Sequence, residues 1–130
     1  MTMLRTGKGS ALLAVVTTLA LSLATGAQAA QPATAAKTTK CDISKVATKL
    51  GPTQVTSLTV SKTTCKNGIA IVKAYHACRT AHGVSGRCVK KVKGYACRET
   101  RTTGPTEFSA KVVCVKGKAT VKHSYRQTLS

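Results

Sequence analysis

The sequence predicts an α+β domain: a short N-terminal helix, then β-α-β-β-β with an antiparallel sheet packed on one main helix, the whole stapled by disulfides. Three observations carry this expectation. The run CKNGIAIVKAYHACRTAHG repeats its apolar residues at helical spacing. The chain after it breaks into three segments favouring β-structure, separated by turn chemistry. Six cysteines, at positions 41, 65, 78, 88, 97 and 114, are spread along the chain rather than gathered in close pairs.

Residues 1–29 read as a secretory signal peptide. Arg5 and Lys8 precede an apolar run at 11–24, and Ala27 and Ala29 form an A-x-A cleavage pattern. That run is shorter than the roughly twenty apolar residues that span a bilayer, so no transmembrane span is expected in the mature chain. Neither twin-arginine export nor a lipid-anchored N-terminus is indicated. Residues 30–40, AQPATAAKTTK, hold no large apolar side chain and read as a flexible lead-in. A single small domain is then expected over 41–127.

Within that domain DISKVATKLG places Ile43, Val46, Ala47 and Leu50 on one helical stripe, with Asp42 as N-cap and Gly51-Pro52 as the stop. QVTSLTVSK follows as a strand, with Val55, Leu58 and Val60 among β-favouring Thr and Ser. The main helix starts after Thr63 or Thr64. It carries Ile69, Val72 and Tyr75 on one side with Lys66, Lys73 and Thr80 on the other, and stops at Gly83; Gly68 weakens it. Strands are expected at 91–99, 109–116 and 119–126, joined by TRTTGPTE and a tight Lys116-Gly117-Lys118 reversal. If both hairpins are symmetric about their turns, Cys97 lies opposite Cys114, and Tyr95, Glu99, Val112, Val121, His123 and Tyr125 share one face.

An even number of cysteines in a short exported chain reads as a disulfide framework. Zinc is not expected, because no two cysteines are close enough to form a ligand pair. Cys78 and Cys88 flank RTAHGVSGR, whose glycines let the backbone double back, so those two are paired. For the other four, Cys65 with Cys114 and Cys41 with Cys97 is the assignment favoured among many connectivities.

From about Val55 the chain resembles a group of small secreted actinobacterial proteins of uncharacterised function. The resemblance rests on a Cys-started helix at Cys65, V-x-G-Y-x-C at 92–97, V-x-C-x-x-G at 112–117, and a last strand from Val121 to an aromatic at Tyr125. It covers some seventy residues. The additional Cys78 and Cys88 depart from a simpler four-cysteine pattern. The resemblance implies export and a disulfide-linked α+β fold, and brings no substrate with it.

Charge narrows the function classes. The full chain has 21 Lys and Arg against three acids, and after loss of Arg5 and Lys8 a net charge of +16 remains on 101 residues. Such a surface attracts polyanions: nucleic acid, anionic wall polymers or lipid headgroups. The densest candidates for anion binding are Lys66, Lys73, Arg87, Lys90, Lys91 and Lys93. With three Tyr, one Phe and no recognised DNA-binding motif, sequence-specific reading of nucleic acid is not expected. No cofactor, metal or catalysis is expected, and the leading reading is a binding module for anionic polymers or the cell envelope. Two alternatives have specific residues. A ribonuclease-like hydrolase would use Glu99, Arg101, His123 and Tyr125 on one sheet face, or His76 with His123 as an acid-base pair. A secreted inhibitor or interaction protein would present the loop between Cys78 and Cys88, or the RTTGPTE turn, to a protein partner, with Arg79, Arg87 or Arg101 as anchors.

Overall fold

The computed structural model describes residues 36–50 and 53–129. The expected signal peptide, 1–29, lies outside the described residues, as does most of the lead-in. Five strands and one helix follow in order: β1 Thr38–Lys40, β2 Thr53–Ser61, α1 Cys65–Thr80, β3 Ala96–Thr103, β4 Glu107–Lys116 and β5 Ala119–Thr128. All strand pairs are antiparallel, in the order β1-β2-β5-β4-β3. The α+β class and the single main helix on an antiparallel sheet are as expected. Among the described residues no helix is long and apolar enough to cross a membrane.

The sheet follows from period-two patterning. Along β4, Phe108, Ala110, Val112 and Cys114 are buried and the residues between them exposed; along β5, Val121, His123, Tyr125 and Gln127 are buried. A slip of one residue would bring Lys111 and Lys122 into the core, so the alternation fixes the register. On β2 the alternation shifts by one at a bulge between Val55 and Ser57, which keeps both Val55 and Leu58 inward. Helix α1 covers the apolar face with Ile71, Val72 and Tyr75, packed with Val55, Leu58, Val60, Val112 and Val121. Thr64 is its N-cap, its side chain accepting from the Asn67 amide at 3.2 Å. Gly68, which lowers helix propensity, has a packing reason: a Cβ there would sit 2.7 Å from Val60 Cγ1, so glycine lets α1 approach β2 closely.

Four expectations are corrected. The N-terminal helix is a single turn: Asp42 Oδ1 accepts from the Ser44 amide at 2.9 Å and Ala47 N–H reaches Ile43 O, but the chain then folds back, Val55 N–H meeting Ala47 O at 3.1 Å. The turn must feed β2 within a few residues, which leaves no length for a second. The last residues of the lead-in are ordered as β1, because the edge of β2 presents free backbone groups and Thr38 and Thr39 suit a strand. Strand β3 starts at Ala96 rather than near 91. Lys93 and Gly94 both have positive φ and form a tight turn closed by Val92 and Tyr95, so the polypeptide reverses before it pairs.

The fourth correction concerns the staples. Cys78–Cys88 is formed, but the other bridges are Cys41–Cys65 and Cys97–Cys114, in place of Cys65–Cys114 and Cys41–Cys97. Cys41 follows β1 at one edge of the sheet and Cys97 lies on β3 at the other, about 19 Å away across four strand spacings, far beyond the reach of a disulfide. Cys65 opens the helix immediately after β2, beside Cys41. Cys97 and Cys114 face each other in the register of β3 with β4, Cα atoms 4.0 Å apart. The helix is therefore anchored at both ends and the β3-β4 pair is cross-linked. Three such bridges fit an oxidising, extracellular environment.

Candidate functional site

The face of the sheet beneath α1 brings together the acid-base groups anticipated from the sequence. Glu99, Val112 and His123 form one cross-strand row, and Arg101, Ala110 and Tyr125 the next. From the helix, Tyr75, His76 and Arg79 descend onto them. The Glu99 carboxylate accepts from Tyr75 Oη at 2.5 Å, from Tyr125 Oη at 2.7 Å and from Arg101 Nε, with Arg87 at 3.4 Å on its outer side. Burial pushes its pKa up, but the donated bonds from Tyr75, Tyr125 and Arg101 outweigh burial and hold it below the usual carboxylate range. Both tyrosines are raised, chiefly by burial and then by Glu99.

Arg79 is completely buried. Its Nε donates to His76 Nδ1 at 2.9 Å, one terminal nitrogen to Val84 O at 3.0 Å, and the other to Thr53 Oγ1 at 2.5 Å and to Gln127 Oε1. The guanidinium also lies 4.6 Å from the centre of the Tyr125 ring. Thus an ion that would be costly to bury alone has each nitrogen occupied. His76 and His123 stand edge to face at 5.3 Å, each only 2% exposed. Desolvation lowers both, His76 to about 2 and His123 to about 4, so both are neutral at ordinary pH. Nε2 of His76 and both ring nitrogens of His123 have no hydrogen-bond partner.

The hydrolase set of Glu99, Arg101, His123 and Tyr125, with His76, is therefore assembled, yet its members engage one another. Three donors already bind the Glu99 carboxylate and the histidines are sealed under the helix, so the arrangement as it stands secures the helix to the sheet. Among the described residues no group of three or more His, Cys, Asp or Glu side chains is placed to hold a metal ion.

The stapled loop is shaped from inside. Besides Cys78–Cys88, Arg79 holds Val84 O, while Arg101 holds Ser85 O at 2.7 Å and Gly86 O at 2.5 Å. Gly83 has φ +88°, and a Cβ on Gly86 would overlap Arg79 O. Of the three arginines considered as anchors for a partner, Arg79 and Arg101 are turned inward to build the loop; only Arg87 faces solvent.

The anion-binding candidates are exposed but dispersed. Lys66 and Lys73 stand on the outer side of α1, two turns or about 10 Å apart. Arg87, Lys90, Lys91 and Lys93 follow one another along the connection from α1 to β3, and Arg87 is shared with Glu99.

A second basic surface was not anticipated: the open face of the sheet. Lys40, Arg98, Lys111, Lys122 and Arg126 all project there, among Ser and Thr. The one acid among the described outward strand positions is Glu107, at a corner, 3.9 Å from Arg126. The signal was available, since these residues are the outward partners of the inward set Glu99, Val112, Val121, His123 and Tyr125. Counting lysines along the chain favours sequence clusters, whereas this group comes from four different strands. In comparisons with models of known protein families, with curated proteins and with solved structures, the chain has no match.

Proposed function

We propose that this protein is an exported, non-catalytic module that associates with anionic polymers or the cell envelope through exposed lysines and arginines. The observation that carries the reading is the disposition of its acids. Glu99 is enclosed with Arg101, and Glu107 is matched by Arg126, so the excess positive charge on the rest of the surface has almost nothing to balance it. Export is part of the proposal, resting on the expected signal peptide and consistent with the three disulfides.

The test is a titration of the oxidised mature protein against heparin, duplex DNA and an anionic wall polymer at salt concentrations from low to high. Binding to polyanions that weakens linearly in a log-log plot against salt is expected, because each neutralised charge releases a counterion. No association with any of them at low salt would refute the reading.

A further inference from the structure

The open face carries more than diffuse charge. Lys40, Thr59, Lys122, Val113 and Arg98 are consecutive partners in one ladder row that crosses all five strands. Its cations occupy alternate strands, so neighbouring charges are spaced about 10 Å apart along a line perpendicular to the strands. The neighbouring row on one side carries the hydroxyls of Thr38 and Thr120, and the one on the other side carries Ser57, Ser124 and Thr100, with Lys111 between the last two. Lys122 and Thr59 border two shallow depressions, of about 230 and 250 Å³. Each is smaller than the roughly 300–1,000 Å³ of a pocket that encloses a small molecule, so the face offers a track for a chain rather than a hole for a ligand.

We propose that this row binds an extended acidic polysaccharide laid across the strands, its carboxylate or sulfate groups on Lys40, Lys122 and Arg98 and its sugar hydroxyls on the flanking Ser and Thr side chains. The inference rests on the polyanion reading above and names its site and ligand. Three features select this ligand over nucleic acid. A duplex strand carries a phosphate about every 3.4 Å, so the row would neutralise only about one in three, whereas a sparsely charged polymer matches it. A five-stranded face is too broad for the major groove, which admits a helix or a two-stranded ribbon. Among the described outward positions there is no aromatic ring on which a base could stack. Hydroxyls, which donate and accept, suit a ligand made of hydroxyls.

The experiment compares two triple variants of equal charge. Lys40→Gln/Lys122→Gln/Arg98→Gln removes the row; Lys66→Gln/Lys73→Gln/Lys90→Gln removes cations elsewhere. Each is titrated at near-physiological salt with hyaluronan oligosaccharides, which carry one carboxylate per disaccharide, and with duplex DNA. The row variant is expected to lose at least about tenfold in hyaluronan affinity and the other no more than about threefold, while the two lose similarly on DNA. Equal losses on hyaluronan would overturn the site, and a row-specific loss equally large on DNA would overturn the ligand. If the parent protein binds neither probe even at low salt, the broader polyanion reading fails instead. Lys122→Gln alone, at the centre of the row, gives the same decision should the triple variant not fold.

Discussion

The two faces of one sheet treat charge in opposite ways. Beneath the helix, Glu99, Arg101 and Arg79 are enclosed and each charged group is met by a partner. On the open face, Lys40, Arg98, Lys111 and Lys122 stand in solvent without an acid beside them, and the exception is the Glu107–Arg126 corner. Adjacent residues of the same strand, Arg98 and Glu99 or Lys122 and His123, belong to the two regimes. The difference teaches that a basic protein with three acids places its most valuable acid where it secures the fold and leaves the surplus cations where a ligand can reach them. Stability should therefore depend on the covered face and affinity on the open one.

Among single substitutions the largest expected effect is on the covered face. Glu99→Gln leaves Arg101 and two tyrosine hydroxyls without their carboxylate, and removing one partner of a buried ion pair costs about 3–5 kcal/mol. Denaturant titration measures it; a loss below about 1 kcal/mol would mean that the network relaxes or that water replaces the charge. Reduction of all three bridges together exceeds that effect, each bridge contributing about 2–4 kcal/mol. In excess reductant the domain should unfold or melt far lower, and an unchanged cooperative transition would show that the sheet and helix hold without staples.

Acid sharpens the same comparison. His76 and His123 have folded pKa values below their unfolded ones, so between those values the unfolded chain binds more protons and stability falls as pH falls. From about pH 6.5 down to about 4 both histidines contribute to this loss, and below about 4, of the two, His76 alone continues it. Glu99, also lowered, adds to the loss once the pH falls into the usual carboxylate range and below it. His123→Phe should flatten the part of the profile above pH 4.5, and a profile as steep as the parent's there would assign the acid sensitivity to other groups. The smallest effect belongs to the open face: Lys122→Gln should leave stability within about 0.5 kcal/mol, since its side chain is exposed and forms no ion pair in this structure.

Much of this architecture is legible in local sequence. Alternation in β4 and β5 and the Gly117 reversal set the meander, and with it the pairing of Cys97 with Cys114 and the shared face of Glu99, His123 and Tyr125. That register itself brings Cys97 against Cys114, a stronger guide to the bridge than the spacing of cysteines along the chain. What local pattern does not carry are contacts set by the sheet order. Cys41 reaches Cys65 only because the lead-in adds a strand to the edge of β2. Arg79 looks like an exposed cation on a helix until the packing angle turns it toward Thr53 and Gln127. The basic row is likewise a product of topology, with Lys40, Lys122 and Arg98 far apart in sequence and joined only by the order of the strands.

The division between the faces is tested most directly by measuring two quantities on the same two proteins. Glu99→Gln and Lys122→Gln should each be melted and, while still folded, titrated with the same hyaluronan oligosaccharide. The account predicts that the first loses stability and keeps its affinity, and that the second loses affinity and keeps its stability. If both variants lose affinity and stability together, the two faces do not divide the work and the account is wrong.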